Sequence, residues 1–317
     1  MKKLKVLFFG AGVLGSLYAA RFKEAGMDVS LVARGKRVEE LREKGIVLQD
    51  FKTGERTTTR VRVLDGMPEQ EYFDVCIVMI QRTHLTDALK DLGKNKKIPT
   101  FLFMQNTTTG PEEMVEALGR DRVMMGHCNA GGEREGHVVH YMIASEMPLG
   151  ELNGEKTERL KRLAEAFKAA GFKNYFSKNI DSWKRYHVAL AVPFALAMYN
   201  NDSCNYKMAE NREDCRRAWR GIKEAFRVLR DRGFPVEPPK FRLIFAMPEF
   251  LVLPLFQRVL KSKVADIGMA RHLRNAGEEM GLLAEEFFAI VDRSGVSTPV
   301  LDDLRSNQDP SLRAISC

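Results

Sequence analysis

The 317-residue sequence has few cysteines, no paired-cysteine motif and no uninterrupted apolar run of membrane-spanning length. The five cysteines are Cys76, Cys128, Cys204, Cys215 and Cys317. Their scattered spacing excludes the usual structural zinc motif and favours a reduced, cytoplasmic protein without a disulfide framework. The sequence begins directly with a strand-like segment, so no signal peptide is expected.

Charge and hydropathy narrow the possible partners. Residues 241–260 form the most apolar long window, but charged residues and prolines interrupt it. That pattern favours a buried or interface helix pair over a membrane span. The net charge of +8 suits an anionic cofactor and an acidic substrate, and no nucleic-acid-binding motif accompanies the basic residues. We expect a small-molecule partner, and neither nucleic acid, membrane nor metal.

A glycine-rich turn is the first motif that indicates chemistry. Gly10-x-Gly12-x-x-Gly15 follows an apolar strand-like segment and precedes a stretch with helical periodicity. In a dinucleotide-binding fold, Gly10 permits the tight turn, Gly12 lets the backbone approach a pyrophosphate, and Gly15 lets the helix pack on the strand. The backbone N–H groups around Val13 and Leu14 then point at the phosphates. The motif therefore predicts a dinucleotide site.

The end of the next predicted strand distinguishes the two nicotinamide dinucleotides. An NAD site usually has Asp or Glu there to accept a hydrogen bond from the ribose, whereas an NADP site has Arg. Here the sequence is Arg34-Gly35-Lys36-Arg37, without a carboxylate. Arg34 suits a forked, charge-assisted contact with a 2'-phosphate, and the alternative is a solvated basic loop. We predict NADP(H) as the cofactor.

Strand-like and helix-like segments alternate in the first half, and helical patterns dominate from Lys156 onward. Later strands are expected at 57–63, 73–80, 100–104, 123–126, 137–143 and 148–150, and long helices at 157–170, 182–200, 210–232 and 266–294. The chain is longer than one ordinary domain. We predict an α/β Rossmann dinucleotide-binding domain at residues 1–175, followed by an all-helical domain for substrate binding and dimerisation at residues 176–317.

Several further motifs occur in a characteristic order. They are the glycine turn of residues 10–20, Leu31-Val-Ala-Arg-Gly35, Gln105-Asn106, residues 135–140 with 149–151, Ser182-Trp-Lys184, and Gly295-Val-Ser-Thr-Pro299. With them the chain resembles the ketopantoate reductases (2-dehydropantoate 2-reductases) over essentially its whole length. The resemblance implies an NADPH-binding Rossmann domain, a helical domain that forms a homodimer, and reduction of a branched 2-oxo acid to the 2-hydroxy acid.

The resemblance also implies roles on the cofactor side. The glycine turn would hold the pyrophosphate, Arg34 would bind the 2'-phosphate, and Asn106 would lie beneath the nicotinamide. Two positions depart from the family pattern. Gln81, with Arg82 beside it, stands where the family has a lysine, and three threonines at 107–109 follow where the family has glycine.

The predicted substrate helix departs further. The family has a tryptophan, one intervening residue, a catalytic lysine, and asparagines four and eight residues after the lysine, a spacing that puts the three groups on one helix face. Depending on alignment, the three positions here are Arg185, Ala189 and Pro193, or Lys184, Val188 and Val192. Arginine does not donate a proton near neutral pH because its pKa exceeds about 12, whereas lysine does. Both Lys184 and Arg185 stay candidates for the catalytic cation.

Two further titratable residues are candidates. Glu279 matches the family's late substrate-binding acid when counted back from Pro299, with Glu278 as a one-residue alternative. A solvated helix carboxylate is the competing interpretation. His187, three residues after Lys184, is an alternative acid because histidine titrates near neutrality, although a packed histidine is the commoner case.

The sequence thus predicts an NADPH-dependent oxidoreductase of ketopantoate-reductase type that passes hydride to a 2-oxo acid or related carbonyl compound. Because the amide pair is missing, we expect the native substrate to differ from ketopantoate. The apolar side chains of Phe194, Met198 and Tyr199 suggest a bulkier or more apolar acid. The alternative is a non-catalytic NADP(H)-binding redox or metabolite sensor, which the loss of the amide pair also favours.

Overall fold

A computed structural model describes residues 3–144 and 146–307. The chain forms two compact units. One contains the chain up to Asn106 together with Gly110–Asp181, and the other contains Thr107–Thr109 and the chain from Ser182 onward. The first is an α/β unit of the Rossmann type and the second is helical, as the sequence predicts.

The first unit contains strands and helices in alternation. Its strands are β1 (Lys5–Phe9), β2 (Asp28–Val32), β3 (Ile46–Asp50), β4 (Arg56–Thr59), β5 (Arg62–Leu64), β6 (Val75–Val78), β7 (Phe101–Phe103), β8 (Val123–Gly126), β9 (Ala130–Glu135), β10 (Val138–Ile143), β11 (Met147–Glu151) and β12 (Asn174–Phe176). Its helices are α1 (Val13–Glu24), α2 (Lys36–Lys44), α3 (Leu85–Leu92), α4 (Glu112–Leu118) and α5 (Glu158–Ala169).

These strands form two sheets. The larger has the order β12-β11-β8-β7-β6-β1-β2-β5 and is parallel from β5 to β8. The smaller has the order β4-β3-β10-β9. In the larger sheet the strand order reverses at β1, and open α/β sheets bind ligands in the crevice at such a reversal, beyond the carboxyl ends of the strands.

In the core of the first unit, apolar side chains of α1 pack in one cluster with residues of the large sheet and of the smaller sheet. Phe22 of α1 meets Phe8 of β1 edge-on, with ring centroids 5.2 Å apart. Tyr18 stacks on Phe172 at 4.0 Å and donates a hydrogen bond of 2.8 Å to Asn129 Oδ1. Burial raises the pKa of Tyr18 well above its usual value. These contacts fix the helix that follows the glycine turn.

The second unit contains only helices in its described residues. They are α6 (Ile180–Tyr199), α7 (Asn205–Glu210), α8 (Arg212–Asp231), α9 (Phe241–Ala246), α10 (Glu249–Leu260), α11 (Lys263–Ala265), α12 (Arg271–Asn275), α13 (Gly277–Val291) and α14 (Pro299–Ser306), with a π-helical turn at Asp266–Ala270. α6 and α8 pack closely because Gly221 has no side chain: a Cβ there would lie 3.2 Å from the Cβ of Pro193. No helix in the described chain is long and apolar enough to cross a membrane.

Several sequence-based expectations differ from the structure. The predicted strand 57–63 is two strands, β4 and β5, which belong to different sheets. β3, β9 and β12 were not expected, and the predicted helix 266–294 is interrupted before α13. Among the described cysteines, Cys76, Cys128 and Cys215 form no disulfide.

Candidate functional site

Four adjacent parallel strands of the first unit end at the same level. Their paired last residues are Val32, Phe9, Val78 and Phe103. The segments that follow carry the predicted cofactor residues Arg34, Gly10, Gln81 and Asn106. The structure therefore brings these positions to one edge of the sheet, at the strand-order reversal.

The three motif glycines have different surroundings. Gly10 has φ +111°, and a Cβ there would lie 2.4 Å from the carbonyl oxygen of Met79. A Cβ on Gly15 would lie 1.8 Å from the carbonyl oxygen of Gly10, so the turn and the helix touch. A Cβ on Gly12 would meet nothing within 4 Å, so the backbone there faces open space. Gly12 is thus the point at which a ligand can approach the main chain closely.

The N-terminus of α1 is suited to an anion. Gly12 is the N-cap and supplies no side-chain hydrogen bond, and the first turn, which includes Val13 and Leu14, contains no acidic residue. The first N–H groups of a helix have no partner within the helix, and its dipole places partial positive charge there. A pyrophosphate supplies the acceptors that this terminus needs.

The predicted 2'-phosphate cations have contacts of their own. The Arg34 side chain is 61% exposed, lies over the Phe9 ring at 5.8 Å, and donates a 2.9 Å hydrogen bond to Asp91. Arg37 is largely buried, pairs with Glu40 and donates to Ser16 Oγ at 3.2 Å. Arg34 is therefore the accessible arginine of the two, and Arg37 ties the start of α2 to α1.

The candidates on the nicotinamide side also differ in their exposure to solvent. Gln81 is exposed, whereas Arg82 is buried and lies 3.2 Å from Glu113 at the start of α4. Asn106 is half-buried, and within the described chain its Oδ1 is shielded from solvent without a hydrogen-bond partner. An orphaned acceptor at this edge fits a ligand N–H group, such as that of a nicotinamide carboxamide.

In the second unit, the side chain of Lys184 is only 1% exposed, so it is not an ordinary surface lysine. His187 is half-buried and stacks on Trp183, with ring centroids 5.3 Å apart and planes 8° from parallel. The stacking supports a packed role for the imidazole.

Arg185 is also buried, but its side chain is held within the unit. Its guanidinium donates a 2.6 Å hydrogen bond to the carbonyl oxygen of Thr108 and lies 4.4 Å from the Phe234 ring centroid. Thr108 is the middle of the three threonines that replace the family's glycine. The two departures from the family pattern are therefore in direct contact. The contact could not be predicted from sequence, because its partners are 77 positions apart in the chain.

The positions that hold asparagines in the family are part of the helical core. Val188, Ala189 and Val192 are at most 1% exposed and belong to that apolar cluster. Phe194 and Met198 belong to the same cluster, and the half-buried Tyr199 packs against it.

The late carboxylates differ in burial. Glu279 is 5% exposed in the first turn of α13, whereas Glu278 is exposed. A carboxylate in the first turn is favoured by the helix dipole. Of the two, Glu279 is the one that can act in a shielded site. Across residues 3–144 and 146–307, no group of three or more potential ligands is placed to hold a metal ion.

Comparison with known proteins agrees with this geometry. The family model described as "Ketopantoate reductase PanE/ApbA" matches residues 6–154. The oxidoreductase YkpB of Bacillus subtilis is 28% identical over 243 residues, covering 74% of this chain and 78% of that protein. The 2-dehydropantoate 2-reductase of Aquifex aeolicus is 27% identical over 240 residues, covering 73% and 74%.

Solved structures share the fold along nearly the whole chain. The 2-dehydropantoate 2-reductase of Geobacter metallireducens has a TM-score of 0.77 and 19% identity, covering 96% of this chain and 98% of that one. A D-mandelate dehydrogenase solved with NADH and anilino(oxo)acetate has a TM-score of 0.77 and 15% identity, covering 95% and 96%. With the glycine turn in place and the asparagine positions of α6 replaced, the comparisons support a divergent relative of the ketopantoate reductase family of oxidoreductases.

Proposed function

We propose that the protein is an NADPH-dependent reductase that acts on a 2-oxo acid or a related carbonyl compound. The observation that carries this proposal is the open backbone at Gly12, at the uncapped and acid-free N-terminus of α1. A bound nicotinamide dinucleotide supplies the hydride. The main-chain N–H groups at Gly12, Val13 and Leu14 would hold its pyrophosphate, and Asn106 Oδ1 would accept from its carboxamide.

Preference for the phosphorylated cofactor rests on Arg34. Its side chain is accessible and no carboxylate replaces it at the end of β2, which supports recognition of a 2'-phosphate. Asp91, now paired with Arg34, would have to yield that contact to the phosphate. The related mandelate dehydrogenase was solved with NADH, so the preference depends on the residues of this chain.

On the substrate side, we assign proton donation to Lys184. A lysine ammonium can give a proton to the oxygen that becomes the alcohol, whereas the guanidinium of Arg185 stays protonated. Glu279 would contact the substrate and Arg185 would act as a positioning residue, holding the 107–109 segment through Thr108.

We propose that ketopantoate is a poor substrate. Apolar, core-packed side chains occupy both sets of asparagine positions, so two hydrogen bonds to the substrate are lost. Losing such groups typically costs orders of magnitude in rate, and we expect a ketopantoate kcat/KM at least ~100-fold below that of typical family members. The 2-oxo acid class stays favoured, because the mandelate dehydrogenase neighbour was solved with a 2-oxo acid derivative.

A non-catalytic NADP(H)-binding sensor is the second candidate. Its supporting observation is that Arg185, at one of the two possible lysine positions, is held by Thr108 and Phe234. A protein of this kind would bind NADPH and turn over no carbonyl substrate.

The deciding experiment is a screen of 2-oxo acids for NADPH oxidation, followed by Lys184→Met. Loss of the proton donor should lower kcat by about 100-fold or more on the best substrate. Lys207→Met is the control, because Lys207 is exposed and forms a surface ion pair with Asp202. NADPH binding without turnover of any acid would favour the sensor. A ketopantoate kcat/KM above about 10⁴ M⁻¹s⁻¹ would show that α6 still recognises that substrate.

We further propose a homodimer formed by the apolar face of α9 and α10. Leu243, Phe250 and Leu255 there are 76%, 69% and 58% exposed. Contiguous exposed apolar surface usually marks an interface. A cytoplasmic location is also proposed, and the thiols of Cys76 and Cys215, which form no disulfide, support it.

A further inference from the structure

The second unit has a cavity of about 1000 Å³ along α8, α9 and the loop at 233–236. Its aromatic side is formed by three rings: Phe226 lies 4.3 Å from Phe245 and 5.6 Å from Phe241, measured between centroids. Behind them, Trp219 stacks on Phe245 at 4.7 Å. The three cavity rings are tilted against one another by 52–76°, so each presents its own apolar face, and a planar ligand group can stack on one of them.

Cations line the same cavity. They are Arg220, Lys223, Arg227 and Arg230 on α8 and Arg242 on α9. The α8 positions recur every three or four residues and so share one helix face. Lys223 and Arg230 are seven residues apart, which is about 10 Å along a helix. The positive charge therefore extends over a length suited to more than one anionic group.

The carboxylates of the cavity already have partners. Glu224 is buried and accepts hydrogen bonds of 3.0 and 2.9 Å from the backbone N–H groups of Val300 and Leu301. Glu249 accepts from Arg216 at 2.9 Å and from Arg220 at 2.8 Å.

Three of the five cations that line the cavity differ from Arg220 and Arg227 in their surroundings. In the part of the chain that the structure describes, Lys223, Arg230 and Arg242 have no carboxylate within ion-pair distance. All three are exposed. The cavity therefore has an excess of positive charge next to an aromatic surface.

We propose that this cavity is a second ligand site, for a phosphorylated nucleoside of the diphosphate class. The base would stack on Phe241 and meet Phe245 edge-on, and the phosphates would contact Lys223, Arg230 and Arg242. Arginine fits phosphate with paired, charge-assisted hydrogen bonds, and three cations match the roughly three negative charges of a diphosphate. This site shares no residue with the glycine turn and does not depend on the proposed reductase activity.

Tryptophan fluorescence tests the proposal locally. The chain has two tryptophans, so Trp183→Phe leaves Trp219, next to Phe245, as the reporter. ADP should change its emission saturably, with Kd in the micromolar range. Adenosine and inorganic pyrophosphate, each with half of the recognised chemistry, should bind at least about tenfold more weakly. No saturable change up to about 5 mM ADP would overturn the proposal, and so would pyrophosphate binding as tightly as ADP.

Charge reversal locates the ligand. Arg230→Glu with Arg242→Glu should raise the ADP Kd at least about tenfold, and Lys223→Glu is an independent second variant. Arg232→Glu is the matched control, because Arg232 is exposed at the end of α8 and does not line the cavity. An unchanged Kd in the cavity variants would place ADP elsewhere, for example at the glycine turn. A changed mass in light scattering would make the cavity a self-association surface instead. Either result would contradict the proposal.

Discussion

At the scale of single residues, two neighbouring cations on α6 have different surroundings. Arg185 is held by the Thr108 carbonyl and the Phe234 ring. Lys184 is almost fully buried. It precedes Arg185 by one residue, so the two side chains leave α6 about 100° apart. The sequence could offer both as candidates because it contains both. It could not rank them, since burial and the Thr108 contact depend on how distant segments pack.

Arg34→Asp should weaken NADPH binding selectively. The substitution replaces the accessible cation at the end of β2 with the acid that an NAD site uses. We expect the NADPH Kd to rise at least tenfold, roughly 1.4 kcal/mol or more, while the NADH Kd changes by less than about threefold. Titration calorimetry with both cofactors measures this, and Arg42→Asp, at the far end of α2, is the control. Equal affinity of the parent protein for NADPH and NADH would refute the assignment.

Tyr186 gives a prediction about alkaline pH. Burial raises its pKa from the usual 10 to about 12, although Arg230 and Arg242 oppose the shift. The unfolded chain loses this proton near pH 10, whereas the folded protein keeps it to about pH 12. The stability contributed by the neutral phenol is therefore complete below pH 10 and lost as the pH rises through about 12.

Tyrosinate absorbance measures this titration. Among the seven tyrosines, Tyr186→Phe should remove one late-titrating group. Tyr206→Phe, at a residue that is 43% exposed, controls for the loss of one phenol. If Tyr186→Phe leaves the late part of the titration unchanged, Tyr186 is not shielded as described.

At the scale of elements, strands with uniform burial were predictable and those without it were not. β1, β2, β6 and β8 are short apolar runs that are buried throughout or nearly so, and each was expected close to its observed position. β9 contains two glycines and three charged residues, so no apolar alternation marks it. Its pairing with β10 stabilises it instead. β12 is three residues long and only half-buried, so it shows neither an apolar run nor an alternation of apolar and polar residues that would predict a strand.

The glycine turn is the element whose chemistry the sequence described best, and paired alanine substitutions test it. Gly15→Ala should destabilise the fold by about 1–3 kcal/mol, because the new methyl group overlaps the Gly10 carbonyl. Gly12→Ala should change the free energy of unfolding by less than about 1 kcal/mol, since its methyl group meets open space, yet should raise the NADPH Kd at least tenfold. Thermal denaturation and NADPH titration separate the two effects. Unchanged NADPH binding by Gly12→Ala would mean that no pyrophosphate approaches that backbone.

At the scale of the whole molecule, the first unit keeps the glycine turn of the family, whereas α6 of the second unit lacks the family's asparagines. The family model ends at residue 154, and α6 lies beyond that limit. The residues that depart most from the family pattern lie in α6 or, like Thr108, contact it. The turn motif could be read locally because its groups are main-chain atoms within six residues. The substrate side could not, since its candidates come from α6 and α13, almost one hundred residues apart.

The apolar face of α9 and α10 gives a prediction about assembly. Leu251, Leu255 and Val259 recur every four residues along α10 and are 56%, 58% and 44% exposed, so they form one stripe on the helix. Burying a leucine is worth about 1.5–3 kcal/mol, and a symmetric interface buries each residue twice. The parent protein should have twice the 36.0 kDa chain mass by light scattering. Leu251→Glu with Leu255→Glu should yield monomers, because four carboxylates would enter the interface. Lys261→Glu, an exposed residue just after α10, should stay dimeric. A parent protein that is monomeric at micromolar concentration would show that this stripe does not join two copies.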